Sequence, residues 1–78
     1  MPWLRLFGPL ADVAGTRRDE VSGATVDEVL ASARARYGPA FAEMLQVCKV
    51  WVNGVPTAPG LVLDDDDEVA LLPPVSGG

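Results

Sequence analysis

The sequence is poor in histidine and cysteine, two side chains that often carry catalysis or bind metals. The chain has 78 residues, no histidine and one cysteine, Cys48. This composition excludes Ser-His-Asp and Cys-His catalysis, the usual zinc sites and an internal disulfide. Cys48 lies in an apolar run, 47–50, which favours a buried, inert thiol over a reactive one. The acidic run 64–68 lacks the alternating spacing and the glycine of an EF-hand loop, so we interpret it as a solvated turn.

The C-terminal carboxylate is the strongest candidate for chemistry. Pro73 and Pro74 favour a stiff, extended segment, and Gly77 and Gly78 leave the tip without side chains. Such a tail, about 20 Å long when extended, fits a channel too narrow for a Cβ atom. A carboxylate is a poor electrophile, so chemistry at Gly78 needs prior activation, for which a mixed anhydride formed with ATP is the natural route. An inert, frayed terminus is the alternative.

The charge balance bears on the class of partner. Six basic residues stand against eleven acidic ones, which gives a net charge of −5. Nucleic acids and anionic membranes both require basic surfaces, so we expect neither as a partner. The overall field favours basic protein partners instead. No apolar run approaches the ~20 residues that span a bilayer, and the N-terminus lacks the pattern of a signal peptide, so we expect a soluble, cytoplasmic chain.

Helices and strands must position this tail. Thr25 and Glu28 form a capping box, apolar residues recur at helical spacing as far as Tyr37, and Gly38-Pro39 ends the helix. A short second helix is predicted around 41–45. Alternating apolar residues and turn signals predict strands at 3–7, 16–21, 47–52, 55–57 and 69–72, with one helical turn in 10–15 and a hairpin at Asn53-Gly54.

This order of elements predicts one α+β domain, residues 1–72, followed by the tail, 73–78. One main helix covers one face of a mixed sheet, and nothing in the remaining chain is long enough to cover the other face. Alternation places on that other face Trp3, Arg5, Phe7, Lys49, Trp51, Ala70 and Leu72. We interpret this face as a docking surface for a partner, the alternative being that loop residues fold over part of it.

The sequence resembles the MoaD family, the small subunits of molybdopterin synthase, over almost its whole length. The resemblance rests on the ending Pro-Pro-Val-Ser-Gly-Gly and on the segments 66–72, 52–54, 6–11 and 14–15. It implies a ubiquitin-like β-grasp fold whose first and last strands are parallel neighbours at the centre of the sheet. Carriers for thiamin synthesis (ThiS-like) also end in Gly-Gly but usually lack the paired prolines. The chain departs from the MoaD pattern at Leu72, where an aromatic residue is common, and at the aspartate run, which replaces a glycine-containing turn.

The resemblance implies a sulfur carrier that is not catalytic alone and binds no cofactor or metal itself. An E1-like, MoeB-like enzyme would adenylate Gly78 with MgATP, and a sulfur donor protein would convert it to a thiocarboxylate. The tail would then enter a MoaE-like large subunit and give sulfur to a pterin precursor during molybdenum-cofactor synthesis. In that scheme Gly78 carries the sulfur and Gly77 lets the tip pass. The positioning residues are Pro73, Pro74, Val75 and Ser76, and the docking residues are Phe7, Leu72, Trp51, Arg5 and Lys49.

Three alternatives remain open from the sequence. The sulfur acceptor could belong to thiamin, cysteine or tRNA-thiolation chemistry. Gly78 could be joined to lysines of other proteins, as in a ubiquitin-like modifier. Finally, the domain could be a plain interaction module with an inert tail.

Overall fold

A mixed sheet of five strands forms the frame of the protein in the computed structural model, which describes residues 1–58 and 60–74. In chain order the strands are β1 (Trp3–Leu6), β2 (Arg18–Glu20), β3 (Lys49–Val52), β4 (Val55–Pro56) and β5 (Glu68–Leu72). Across the sheet their order is β2-β1-β5-β3-β4. The first and last strands are parallel neighbours at the centre, and the other pairs are antiparallel. This is the predicted β-grasp topology.

Three helices pack on one face of the sheet. They are α1 (Pro9–Ala14), α2 (Val26–Tyr37) and α3 (Pro39–Leu45). The core lies between them and the sheet, with Leu10 of α1 and Phe41 of α3 fully buried beside the apolar stripe of α2. The prediction of one main helix on one face of the sheet is confirmed, and the predicted helical turn and short second helix are α1 and α3, which complete the cover that α2 begins.

The predicted N-terminal cap of α2 and the predicted hairpin turn are both present. The Thr25 hydroxyl accepts a hydrogen bond from the Glu28 backbone N–H at 3.3 Å. The reciprocal bond of the capping box is displaced by one residue, since the Glu28 carboxylate accepts from the N–H of Ala24 at 3.1 Å. Asn53 and Gly54 both have positive φ, 50° and 82°, which is the geometry of a type I′ hairpin turn.

The strands differ from their predicted bounds by one or two residues at their ends, and β1, β2 and β4 are all shorter than predicted. Strand β3 begins at Lys49 and not at Val47, because the N–H groups of Val47 and Cys48 donate to the carbonyls of Met44 and Leu45 and continue the end of α3. Strand β5 begins at Glu68, one residue earlier than predicted. Over the described residues, no helix combines the length and apolar character needed to cross a membrane.

Candidate functional site

The tail leaves the sheet from its central strand. Strand β5 lies between β1 and β3, and its last residue, Leu72, is opposite Lys49 of β3. Pro73 and Pro74 follow at once, and prolines have no N–H to continue the ladder. The chemistry predicted at Gly78, the passage of the tip predicted for Gly77 and the positioning roles predicted for Val75 and Ser76 lie outside the described residues.

The start of the tail lies against the turn between β1 and α1. Gly8, whose φ is +54°, lies beside Pro73, and a Cβ built on it would make an ordinary van der Waals contact of 3.6 Å with the proline Cγ. A groove of about 410 Å³ opens beside this contact. It is lined by Pro9, Leu10, Met44, Val47, Cys48, Pro73 and Pro74. The described part of the tail is thus held at its base by α1 and the end of α3.

Cys48 lies in this groove as a half-buried thiol rather than a fully buried one. Its Sγ donates to the carbonyl of Met44 at 3.2 Å. Burial raises the pKa of the Cys48 thiol, which lowers its thiolate fraction at neutral pH. The raised pKa favours the predicted inert thiol, whereas the thiol is half-buried and not buried as predicted.

The predicted docking residues share the sheet face opposite the helices, which we call the open face. Arg5, Ala70 and Trp51 are neighbours across β1, β5 and β3, and Leu72 is opposite Lys49 in the next row. Since residues directly opposite in a sheet point to the same side, these side chains lie together.

Phe7 follows β1 and adjoins this face, with the Arg5 guanidinium carbon 5.4 Å from the centre of its ring. The large apolar residues Trp3, Phe7, Trp51 and Leu72 are half-buried, and Arg5 and Lys49 are exposed. The strand register puts Arg5, Lys49, Trp51 and Leu72 on one face of the sheet, and the docking role of these residues and of Phe7 stays a prediction.

Three charged residues of the open face, Arg18, Glu20 and Glu68, were not predicted from the sequence. Glu68 contacts Arg5 (Nη1 to Oε1, 3.5 Å) and Arg18 (Nε to Oε2, 3.7 Å). The Arg18 guanidinium carbon lies 4.1 Å from the centre of the Trp3 ring. Extending the alternation of Ala70 and Leu72 back by one step would have placed Glu68 on this face. The sequence analysis instead assigned Glu68 to the acidic turn, because four aspartates precede it.

Strand β2, which carries Arg18, is tied to the end of α2. The Tyr37 hydroxyl donates to Asp19 Oδ2, and Arg36 Nη1 donates to the same oxygen at 2.7 Å and to the carbonyl of Glu20 at 2.9 Å. The hydrogen bond from Tyr37, aided by Arg36, lowers the pKa of Asp19. Burial and the Asp19 carboxylate raise the pKa of Tyr37 to about 12. We call Asp19, Arg36 and Tyr37 the clamp, because they fix the edge strand from its helix side.

The aspartate run forms a hydrogen-bonded turn. The Asp67 carboxylate accepts from the N–H of Asp64 at 2.9 Å and from Asn53 Nδ2 at 2.8 Å. These bonds lower the pKa of Asp67. Among the described residues, no group of three or more acidic or cysteine side chains is arranged to hold a metal ion. The turn joins the hairpin to the start of β5 and agrees with the solvated turn predicted.

Comparison with known proteins places the chain among small β-grasp proteins. A profile of the ThiS family matches residues 4–78. Small archaeal modifier protein 1 from Methanosarcina acetivorans matches with a TM-score of 0.89 and 29% identity, covering 99% of this chain and 95% of that one. The protein of the same name from Haloferax volcanii matches with a TM-score of 0.77 and 36% identity, covering 99% and 98%.

A third solved structure is a complex of subunits 1 and 2 of the molybdopterin-converting factor from Helicobacter pylori. It matches with a TM-score of 0.74 and 27% identity, covering 99% of this chain and 97% of that one. A search of curated proteins gives no match.

Proposed function

The chain belongs to the ThiS family, a group of ubiquitin-like sulfur carriers and modifiers, and on that premise we propose that it is the sulfur-carrying small subunit of a molybdopterin synthase. An E1-like, MoeB-like enzyme adenylates the Gly78 carboxylate with MgATP, and a sulfur donor protein displaces AMP to leave a thiocarboxylate. A MoaE-like large subunit then receives the tail, and the sulfur passes to a pterin precursor. The chain binds no cofactor itself.

The junction between the open face and the tail carries this proposal. Leu72 belongs to the open face, and the next residue, Pro73, begins the tail. A partner seated on the open face therefore lies at the root of a segment whose six residues reach about 20 Å when extended. This arrangement suits delivery of a terminal group into the active site of another protein. The chain has no histidine and a thiol of raised pKa, so the partner supplies the acid and base groups.

The complex from Helicobacter pylori supports the choice of partner class, because its two subunits are named as parts of the molybdopterin-converting factor. The archaeal modifier proteins support a second candidate, in which Gly78 is joined to lysines of other proteins. Both candidates require activation of the same carboxylate and differ in the acceptor.

Intact-mass spectrometry tests the sulfur step. The chain is incubated with MgATP, an E1-like enzyme and a sulfur donor, and we expect the mass increase of one oxygen replaced by sulfur. Deletion of Gly78 should abolish the increase, while Gly60→Ala, a substitution in open space, should retain it. Efficient adenylation without sulfur gain, in the presence of an active donor, would argue against a sulfur carrier.

Acceptor identity separates the two candidates. The thiocarboxylate form, mixed with a MoaE-like subunit and the pterin precursor, should lose its sulfur with the appearance of dithiolene product. Denaturing gels that instead show covalent ladders, dependent on Gly77 and Gly78, would favour the modifier. Specific loss of sulfur to a thiamin, cysteine or tRNA acceptor would place the carrier in another pathway.

A further inference from the structure

Charge is distributed unevenly between the two sides of the sheet. The open face carries three basic residues, Arg5, Arg18 and Lys49, and two acidic ones, Glu20 and Glu68. The remaining acidic residues lie on the helices, on the helix side of β2 or in the turn before β5. A chain with a net charge of −5 thus has one face whose charge is net positive.

The two arginines of this face share a single carboxylate. Arg5 and Arg18 are directly opposite each other in β1 and β2, a pairing that like charges disfavour. Glu68 contacts both at 3.5 and 3.7 Å. Two cations against one anion leave one positive charge without a counterpart within this group.

The arginines are also oriented for contact with another molecule. Their side chains are 54% and 57% exposed, whereas that of Glu68 is 30% exposed. The guanidinium groups lie over the rings of Phe7 and Trp3, which restricts their motion. Restricted, exposed guanidinium groups are suited to bind carboxylates through paired N–H donors.

We propose that the protein partner of the open face presents an acidic contact surface, whose carboxylates bind at Arg5, Arg18 and Lys49 while apolar groups cover Trp51 and Leu72. This inference rests on the docking role in the proposed function and is independent of the sulfur chemistry. It reverses the expectation of a basic partner drawn from net charge, because the local charge at the contact is opposite in sign to the total. A second copy of the chain is disfavoured as the occupant, since it would oppose positive to positive.

Tryptophan fluorescence provides a direct readout. The chain has two tryptophans, Trp3 and Trp51, and both lie on the open face. Capped hexaglutamate and hexalysine peptides are titrated into the full chain at low ionic strength, with amide NMR shifts recorded in parallel. Hexaglutamate should change the fluorescence saturably and shift amides of β1, β2 and β5, and physiological salt should weaken the effect. Hexalysine should shift the turn at 64–67 instead.

Matched pairs of variants distinguish an effect of the charge on the open face from an effect of the net charge of the chain. Arg18→Gln should weaken hexaglutamate binding about twofold to fivefold. Arg34→Gln makes the same change in charge at an exposed position of α2 and should leave the binding unchanged. Glu68→Gln should strengthen binding by a similar factor, and Glu43→Gln on α3 should not. The proposal would be overturned if each open-face variant changed hexaglutamate binding no more than its matched control. It would also be overturned if hexalysine bound at the tryptophans, or if hexaglutamate gave no response. Because no enzyme or sulfur is present, the result stands whether or not Gly78 is activated.

Discussion

Replacing Tyr37 by phenylalanine tests the clamp that fixes strand β2. The substitution removes one hydroxyl and keeps the ring, whose centre lies 5.0 Å from that of Phe41. A hydrogen bond to a charged group contributes about 1.5–3 kcal/mol. The Asp19 side chain is 32% exposed and retains its bond to Arg36, so solvent screening reduces the expected loss to about 1 kcal/mol. For a domain of this size that loss lowers Tm by about 4–8 °C.

The pH dependence of this effect has a defined sign. The pKa of Asp19 is lowered in the folded state, so its stabilisation is present above the unfolded pKa and is lost as pH falls through the folded value. The pKa of Tyr37 is raised to about 12, so its contribution is complete below the ordinary value of 10.0 and is lost as pH rises through about 12. The phenylalanine variant should therefore differ most from the parent chain at neutral pH and converge with it at both extremes.

Thermal melts followed by circular dichroism across this pH range measure the effect. The chain has one tyrosine, so phenolate absorbance reports the titration of Tyr37 alone. Asp19→Asn and the double variant complete a cycle, in which coupling of at least about 0.5 kcal/mol is expected for contacting groups. A difference in Tm that is constant with pH, or additive effects in the cycle, would refute the assignment of the clamp.

Two further predictions concern packing and thiol reactivity. Gly23→Ala should destabilise the fold by about 1–3 kcal/mol in urea unfolding, because a Cβ there would lie 2.6 Å from the Val29 backbone nitrogen. Gly60→Ala, with nothing within 4 Å, is the matched control, and equal midpoints for the two variants would contradict the argument. Cys48 should react with iodoacetamide more slowly at neutral pH than a free cysteine does, since burial raises its pKa, and urea should abolish the difference. A rate equal to that of free cysteine in the folded chain would disprove the shielding.

Much of the fold was accessible from the sequence because its signals are local. The capping box at Thr25 and the Asn53-Gly54 turn fix their own backbone geometry, and the structure retains both. The paired prolines after Leu72 end the last strand where predicted. Alternation in β1, β3 and β5 likewise assigned the two faces correctly. The parallel pairing of β1 with β5 came from the family resemblance, since no local pattern specifies which strands meet.

The missed features depend on contacts between distant segments. The role of Glu68 follows from its position between Arg5 and Arg18, and Arg18 is 50 residues away in sequence on the edge strand. Composition alone assigned Glu68 to an acidic turn. The start of β3 was missed for a related reason. Val47 and Cys48 are apolar and suited to a strand, but the preceding helix α3 takes their N–H groups into its final turn.

Alternate side chains of strand β5 point to the core and to the open face. Val69 and Leu71 are fully buried against the helices, whereas Glu68, Ala70 and Leu72 belong to the open face. Substitutions at the two buried residues should therefore change the stability of the core. Substitutions at the three residues of the open face should change the charge and shape of that surface. Ala70 is the smallest side chain of its row, with the cation of Arg5 on one side and the aromatic ring of Trp51 on the other. Under the proposal of an acidic partner, a group with an apolar body and a carboxylate tip would contact Trp51 and Arg5 together. Ala70 lies two residues before Leu72, the last residue before the tail, so the proposed recognition of an acidic partner and the proposed delivery of the tail would depend on the same strand.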